Sequence, residues 1–498
     1  MSIKPVIERI AGGRVRLASF QGDTPVTHRS VAAIAAGLLA IAPAKAQQVP
    51  NGKYDVPVSA RDRFYTSDQF SNTVSVIDPS SNQLLGVIKL GDQTPGNLSP
   101  LYKGQLLVHG MGFSPDGKTL AVVSIGSNSV SFIDTETNTV KHTAYVGRSP
   151  HEAFFRPDGR EVWVSIRGED YVAVLDGKTF RETGRITVPT GPGMTIFSPD
   201  GRYGFVCSSF SPETVAIDTR TKKVAGRVKQ ASPFCPDLAA TPDGKQVWLT
   251  LKDVGKVMVF DARPPFNILK TIDTGPITNH VNIARTAKGQ FAYVTVGTEN
   301  VVKVFRTSDF AQVASVPVGA LPHGLWPSGD GSRMYVGLEN ADMVAVIDTA
   351  ANKVIANVPI GQGPQGVAYV PGAVTAGDGR SNLMPLAKAL AKTQLELSGT
   401  GRSQVTLFDQ GQVQILQAAV AGLPPKTDFI LALADRPDGR GKLQPLAKFT
   451  TNPAGSAIVN AIGPIRQVVT DEASDDRRYL VVANGTPDAP GAPVQVQR

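Results

Sequence analysis

The sequence predicts an all-β fold built from a repeated unit of about 42 residues. Asp-Gly turns recur along the chain, and the turn aspartates at positions 116, 158 and 200 are 42 residues apart. An alternating apolar segment that ends in aspartate follows each turn, as in "VSFID" (130–134). Gly and Pro account for 86 of the 498 residues, which suits a turn-rich β protein better than a helical one.

Each repeat reads as four strands, which predicts a β-propeller blade. A four-stranded sheet cannot cover its own faces, so neighbouring blades pack on it and the ring closes. The alternating segment occurs seven times: "VSVID" (74–78), "VSFID" (130–134), "VAVLD" (172–176), "TVAID" (214–218), "VMVFD" (257–261), "VKVFR" (302–306) and "VAVID" (344–348). We therefore expect seven blades over residues 60–372.

The two ends of the repeat region predict how the ring closes. The first repeat begins near Arg61 without an innermost strand, and the chain continues past the seventh repeat with "PQGVAYVPG" (364–372). We expect the strand at 365–370 to complete the first blade. The sequence thus predicts a seven-bladed β-propeller that is closed by its C-terminal strand.

The repeat pattern stops after Pro371. Residues 373–382 have the composition of a linker, and "LMPLAKALAKTQLEL" (383–397) indicates a helical start. Alternating segments with turn signals between them follow. We expect a small β-sandwich domain over residues 383–498.

Residues 1–46 have the pattern of a secretory signal peptide. Arg29 precedes the apolar stretch "VAAIAAGLLAIAP" (31–43), and "AKA" (44–46) supplies the small residues of a cleavage site at Ala46. The apolar stretch is too short for a stable membrane-spanning helix. We therefore expect a periplasmic or secreted protein without a transmembrane anchor, and a leader over residues 47–60.

The charge of the chain argues against nucleic-acid binding. The net charge is +8, but residues 1–46 contribute half of it and no basic run stands out in the remainder. We therefore expect no sequence-specific nucleic-acid partner. The sequence also lacks the G-x-S-x-G, P-loop and C-x-x-C-H motifs of serine hydrolases, nucleotide-binding proteins and covalent haem proteins.

The histidines follow the repeat. One position per blade lies about seven residues before the turn aspartate, in the loop that leads to the innermost strand. Around the ring this position holds His109, His151, Gly193, Pro236, His280 (after one inserted residue), His323 and, in the closing strand, Gln365. The four histidines would lie on one arc at one mouth of the channel, and converging imidazoles favour copper or zinc. The alternative is that they bond loop carbonyls and close the channel.

Acidic and amide residues next to this position are secondary metal candidates. Glu152 and Asp237 come one residue after it and Asn282 two residues after it, with Gln365 in the ring itself. Oxygen ligands of this kind suit calcium or magnesium, which is a weaker prediction than copper or zinc. The alternative is that these side chains satisfy local backbone groups.

The chain has two cysteines, Cys207 and Cys235. In the predicted propeller, both lie at strand ends on the same face as the histidines. An oxidising compartment would allow a disulfide between them. Two free thiols, or two thiols that join the histidines as ligands, are the alternatives.

Residues 60–372 resemble the YVTN-type seven-bladed propellers of exported bacterial proteins, through "SPDGK", "YVTVGTEN" and "VAVIDTAANKVIANVPIG". The histidine ring is similar in kind to that of nitrous oxide reductase, but Gly193, Pro236 and Gln365 depart from its pattern. Propeller lactonases resemble the chain in fold, although no lactonase acid–base set matches residue by residue. The resemblance therefore implies the fold and leaves the activity open.

Two functions remain from the sequence. The first is an exported binding or scaffold protein, with or without a transition metal at the axial mouth, whose partner is a protein, a cell-envelope component or a small molecule. The second is a metal-dependent lactonase- or lyase-type enzyme that acts at the propeller axis.

The signal pattern makes a direct prediction. N-terminal sequencing of the protein exported by its native host should start at or near Gln47, because signal peptidase cleaves after the small residues at 44–46. A mature protein that starts at Met1 would contradict this prediction and weaken the argument for an oxidising compartment.

Overall fold

The computed structural model describes residues 56–91, 106–387, 392–410, 413–470 and 476–498. These residues form seven four-stranded antiparallel sheets and one eight-stranded antiparallel sheet. The predicted all-β class and seven-bladed propeller are therefore confirmed. The predicted signal peptide and most of the leader lie outside the described residues.

The propeller strands follow the order of the repeats. Blades 1 to 3 contain β1 (Arg63–Asp68), β2 (Thr73–Asp78), β3 (Gln83–Lys89); β4 (Val108–Phe113), β5 (Thr119–Ser124), β6 (Ser129–Asp134), β7 (Val140–Tyr145); and β8 (Pro150–Phe155), β9 (Glu161–Ile166), β10 (Tyr171–Asp176), β11 (Glu182–Thr187). Blades 4 and 5 contain β12 (Pro192–Phe197), β13 (Tyr203–Ser208), β14 (Glu213–Asp218), β15 (Lys223–Lys229); and β16 (Leu238–Ala240), β17 (Gln246–Leu251), β18 (Lys256–Asp261), β19 (Ile268–Asp273). Blades 6 and 7 contain β20 (Thr278–Thr286), β21 (Gly289–Val296), β22 (Val301–Arg306), β23 (Gln312–Pro317); and β24 (Pro322–Pro327), β25 (Arg333–Leu338), β26 (Met343–Asp348), β27 (Lys353–Pro359). A 3-10 helix, Lys252–Val254, follows β17.

The Asp-Gly motif forms the turn between the first two strands of a blade. In blade 2, Asp116 accepts hydrogen bonds from the Ser114 hydroxyl and the Lys118 amide, at 2.5 and 3.1 Å. Gly117 has φ 73°, a left-handed conformation that glycine adopts without strain. The recurrence of this motif therefore reflects one turn geometry that is repeated around the ring.

The aspartate that ends the third strand closes the next turn. Asp134 accepts hydrogen bonds from the backbone amides of Glu136 and Thr137, at 3.1 and 2.9 Å. The following residue, Thr135, donates to the carbonyl of Gly117 at 2.7 Å. The two sequence motifs thus contact each other within a blade, which explains why they recur together.

The ring closes as the sequence predicts. β28 (Pro364–Val370) pairs antiparallel with β1 and becomes the innermost strand of blade 1. Asp62 strengthens this closure, because its carboxylate accepts hydrogen bonds from the Tyr369 hydroxyl (2.6 Å) and the Gly372 amide (2.8 Å). Both ends of the propeller chain therefore belong to one sheet.

The C-terminal domain is a single curved sheet. Its elements are β29 (Lys392–Gly399), β30 (Gly401–Asp409), β31 (Gln414–Val420), β32 (Asp428–Ala434), β33 (Leu443–Thr450), β34 (Ala457–Gly463), α1 (Ile465–Thr470), β35 (Tyr479–Thr486) and β36 (Ala489–Gln497). The strand order is β33-β32-β35-β36-β29-β30-β31-β34, and the edge strands β33 and β34 contact each other. The predicted sandwich-like domain thus encloses its core by curling one sheet almost into a barrel. That core includes Leu407, Leu416, Leu431 and Val482.

The predicted helical start at residue 383 is wrong for the described part of that segment. Residues 383–387 contain no helix, and Met384 forms a backbone bridge with Val87 of β3. The backbone of Val87 supplies hydrogen-bond partners that a helix would otherwise provide internally. None of the helices in the described residues is long and apolar enough to cross a membrane.

Cys207 at the end of β13 and Cys235 in the loop before β16 are joined by a disulfide, with their Cα atoms 6.0 Å apart.

Replacing both cysteines by serine should lower the free energy of unfolding by about 3 kcal/mol, because the bond closes a loop across two blades. Urea titration of the wild type and the double variant measures the difference. Thiol alkylation of the denatured protein without reductant should modify neither cysteine. Full alkylation would contradict the bond.

Candidate functional site

Each histidine of the arc lies in a β-bulge at the start of an innermost strand. The register of β4 on β5 shifts around His109. The same kind of shift surrounds His151, His280 and His323, in β8, β20 and β24. A bulge interrupts the regular alternation of side chains between the two faces of a sheet. This interruption lets the imidazoles converge at the axis instead of packing between blades.

A residue with a left-handed backbone comes just before each of these strands. The residues are Leu107 (φ 53°), Ser149 (φ 49°), Ile277 (φ 55°) and Leu321 (φ 54°). Such conformations are strained outside glycine, so the surrounding structure must hold them. The side-chain oxygens of Asn128 and Asn300, in the preceding blades, accept hydrogen bonds from the backbone amides of Ser149 and Leu321, at 2.9 and 3.0 Å. Each blade therefore positions the mouth loop of the next one.

The four histidines form two close pairs at the mouth. The ring centroids of His109 and His151, in adjacent blades, are 4.2 Å apart, and those of His280 and His323 are 4.4 Å apart. His109 and His323 are separated by 6.3 Å, because the closing strand lies between their blades. His142 lies away from the arc and packs on Phe132 and Phe180.

The pair of His109 and His151 lies beside the carboxyl group of Glu152. One ligand atom from each of His109, His151 and Glu152 lies within 4.8 Å of the other two, and all three side chains are buried. Among the described residues, no other His, Cys, Asp or Glu group of three or more meets this distance. Glu152 Oε1 is 3.9 Å from His109 Nδ1, too far for a hydrogen bond but close to the about 3.4 Å that separates two ligands of one tetrahedral zinc ion.

The hydrogen bonds of the rings leave nitrogen atoms available. His151 Nδ1 bonds the Gly193 carbonyl at 2.8 Å, and His323 Nδ1 bonds the Gln365 carbonyl at 3.2 Å. A carbonyl partner fixes the proton on Nδ1 and leaves the lone pair on Nε2. His109 Nδ1 and His280 Nε2 are buried without a hydrogen-bond partner in the described structure. Buried polar atoms of this kind need a partner, such as an ordered water or an ion.

Burial keeps these groups uncharged. It lowers the pKa of His109 to about 3, with a further contribution from the positive charges of Arg167 and Lys252. It likewise lowers the pKa of His280 to about 3. Burial raises the pKa of Glu152 well above its usual value, and the neighbouring Asp237 adds to the effect. Neutral imidazole is the form that binds a metal, so these histidines remain competent ligands well below pH 6.

The secondary candidates lie just inside the mouth. Glu152, Asp237 and Asn282 line a small cavity of about 30 Å³ on the axis. Asp237 accepts the Val281 amide at 2.8 Å, and Asn282 uses its amide group to bond the Leu325 carbonyl and the Ile283 amide. Local backbone groups therefore already occupy Asp237 and Asn282. Gln365 lies at the mouth between the two histidine pairs, and its backbone carbonyl accepts a hydrogen bond from His323 Nδ1.

Three charged residues at the mouth were missed by the sequence analysis. Arg167, Lys252 and Glu339 each follow the last residue of the second strand in blades 3, 5 and 7, after β9, β17 and β25. Glu339 Oε2 is 4.0 Å from His323 Nε2. A repeat alignment at the end of the second strand, as well as at the turn, would have found all three.

The histidines, Arg167, Lys252 and Glu339 line one chamber of about 490 Å³ between the propeller and the C-terminal sheet. The sheet side of the chamber is formed by residues on and beside β33 and β34, including Asn452, Ser456 and Asn460. This volume is within the usual range of small-molecule sites. The mouth of the propeller is thus one wall of this chamber.

Specific contacts hold the sheet on this face. Gln417 donates to the Glu339 carboxylate at 2.9 Å, and Gln394 donates to the Asn340 carbonyl at 2.7 Å. The rings of Phe70 and Phe408 lie 4.9 Å apart. Because Glu339 itself lines the chamber, the contact between the domains is part of the site.

Gly193 leaves the blade 4 side of the mouth without a side chain. A Cβ atom there would lie 2.8 Å from the Cys235 carbonyl and 2.7 Å from Ser209 Oγ. The disulfide between Cys207 and Cys235 thus lies directly behind this gap in the histidine arc, and neither sulfur is available as a metal ligand.

Comparison with known proteins agrees with this architecture. The family model described as YNCE-like beta-propeller matches residues 25–374. The chain belongs to the YNCE-like beta-propeller family. No curated protein matches the chain.

Solved structures share the fold at low sequence identity. A functionally unknown protein from Desulfotomaculum acetoxidans is 15% identical, with a TM-score of 0.52, 62% of this chain covered and 98% of that one. The hydrazine synthase of Kuenenia stuttgartiensis is 22% identical, with a TM-score of 0.47 and coverages of 54% and 92%. The dihydro-heme d1 dehydrogenase NirN is 11% identical, with a TM-score of 0.46 and coverages of 83% and 79%. At these identities the likeness concerns the fold alone.

The burial of Asp237 at the base of the mouth leads to a testable prediction. Burial raises the pKa of Asp237 to about 8. The folded state therefore keeps a proton that the unfolded chain loses near pH 4, so this group stabilises the fold below pH 4 and the contribution is lost as the pH rises to 8. In metal-free protein, Asp237→Asn should flatten the decline of the unfolding free energy over this range. The unfolding free energy is measured by urea titration at each pH. If it falls with pH as steeply in Asp237→Asn as in the wild type, this result would contradict a buried, neutral Asp237.

Proposed function

We propose that this chain is an exported binding protein that holds a divalent transition metal, copper or zinc, at the mouth of its propeller. His109, His151 and Glu152 form the centre of the site. His280 and His323 face the same chamber and are the remaining nitrogen ligands of the proposed set.

The observation that carries this proposal is the close approach of three buried ligand groups on rigid strands. One atom each of His109, His151 and Glu152 lies within 4.8 Å of the others. These residues come from adjacent blades, so their approach depends on blade packing and not on a mobile loop. Two imidazoles and one carboxylate with a fourth position for another group are a common zinc ligand set.

The ligand chemistry favours copper or zinc over calcium. Calcium prefers six to eight oxygen ligands, and this mouth offers mainly neutral imidazole nitrogens. The backbone contacts of Asp237 and Asn282 reduce what the axis could offer a hard cation. A bound dication would also favour the ionised form of Glu152, because an adjacent positive charge stabilises a carboxylate.

Export and binding support each other in this proposal. The signal pattern at 29–46 and a bridged cysteine pair both suit an oxidising compartment outside the cytoplasm. The chamber between the domains offers a place for a small molecule, and the outer faces of the blades remain available for a protein or an envelope component.

The test is metal binding by the mature chain after treatment with a chelator. Zinc or copper should bind with about one equivalent per chain in calorimetry and elemental analysis. His151→Ala should weaken this binding by more than about 100-fold, the upper end for loss of a residue that only hydrogen-bonds to a metal ligand. His142→Ala is the matched control, because this histidine lies away from the mouth, and it should bind like the wild type.

The same measurement separates the two histidine pairs. If one ion uses all four nitrogens, His280→Ala and His323→Ala should weaken binding as strongly as His151→Ala. If His109, His151 and Glu152 suffice, both variants should retain most of the affinity. A chelated protein that binds neither zinc nor copper, with unchanged circular dichroism, would contradict the proposed function.

A further inference from the structure

Two basic side chains line the chamber without acidic partners. Among the described residues, neither Arg167 nor Lys252 has a carboxylate oxygen within 4.0 Å, whereas many other lysines and arginines in the described chain form ion pairs. Arg167 Nε is also buried without a hydrogen-bond partner. Both side chains are half-buried, and a partly desolvated cation without an ion-pair partner is costly, so this arrangement needs an explanation.

The two cations are held together by one aromatic ring. The Arg167 guanidinium lies 5.2 Å and the Lys252 ammonium 5.8 Å from the centroid of Phe234. Arg167 also lies 5.6 Å from the ring of Phe210. The faces of these rings attract cations but accept no strong hydrogen bond. The N–H groups therefore remain available towards the chamber.

The acidic residues of the chamber are engaged elsewhere. Glu339 accepts a hydrogen bond from Gln417 of the C-terminal sheet at 2.9 Å. Asp253 has a side-chain hydrogen bond with Asn452 of the same domain. Neither acid lies within ion-pair distance of Arg167 or Lys252, although both attract the Lys252 ammonium at longer range. The chamber thus has two acids that hold the domain interface and two bases without such a role.

The position of the cations complements the histidine arc. Arg167 and Lys252 belong to blades 3 and 5, on either side of blade 4, whose mouth position is Gly193. The histidines occupy the mouth positions of blades 2, 3, 6 and 7. The cations and the imidazoles therefore line the same chamber, so a small molecule there would be within reach of both.

We infer that the chamber binds a small anionic ligand, whose carboxylate or phosphate group contacts Arg167 and Lys252. The planar guanidinium matches the two oxygens of a carboxylate or phosphate, and the ammonium adds a second charge. Asn452, Ser456 and Asn460 line the opposite wall and offer further polar contacts. This site lies beyond the proposed metal function and does not require the metal.

The test uses metal-free mature protein, with inorganic phosphate and succinate as probes and neutral succinamide as the comparison. We expect phosphate or succinate, but not succinamide, to bind with a Kd of about 1 mM or tighter in calorimetry, which is modest for a charge-assisted contact. Binding of phosphate alone would assign an inorganic oxyanion or phosphate ester, and binding of succinate would assign an organic acid.

The double variant Arg167→Gln/Lys252→Gln should weaken this binding by about tenfold or more, as expected from loss of a charge-assisted hydrogen bond. The control is Arg185→Gln/Lys245→Gln, which removes two exposed positive charges from the same blades and should bind like the wild type. Without ligand, the first double variant should unfold at a temperature no lower than the wild type, because two half-buried charges without ion-pair partners are removed.

Three results would overturn the inference: no binding of either anion, equal weakening in both double variants, or a large loss of thermal stability on neutralising Arg167 and Lys252. The metal proposal is judged separately. The double variant at Arg167 and Lys252 should bind zinc at least as tightly as the wild type, because two positive charges near the imidazoles are removed. His151→Ala should bind the anion while it loses the metal.

Discussion

The pairing of β28 with β1 is the constraint on which the rest of the structure depends. It joins the last strand of the propeller to the first and closes seven sheets into one ring. Every mouth loop is then held by the blade before it, as Asn128 holds Ser149. Because the closing strand stands between blades 7 and 2, it also separates the histidines into two pairs.

The C-terminal sheet forms the second wall of the chamber at the propeller mouth. It places polar side chains opposite the histidines and forms a chamber of about 490 Å³. Burial keeps the imidazoles neutral, and it lowers the pKa values of the half-buried Arg167 and Lys252. An open propeller mouth would expose all these groups to bulk water, where imidazoles gain protons near pH 6.5 and cations need no partner. The two domains therefore line one chamber together.

Repetition made the propeller predictable from the sequence. The Asp-Gly turns, the strands that end in aspartate and the unpaired last strand each follow from local rules, and the structure contains all of them. The convergence of His109, His151, His280 and His323 on one mouth followed from the same alignment. Glu339 and the two cations were not found, because the alignment was made at the turns and they follow the second strands. The curled C-terminal sheet and its docking on the mouth depend on long-range contacts such as Gln417 with Glu339, and no repeat signals them.

The most direct test of this account is a crystal structure of the mature protein in complex with zinc, with anomalous diffraction data on both sides of the zinc absorption edge. The account predicts an anomalous peak inside the chamber, within bonding distance of His109, His151 and Glu152, at about 2.0–2.2 Å from each ligand atom. A zinc ion bound only at surface residues, with no anomalous peak in the chamber, would contradict it.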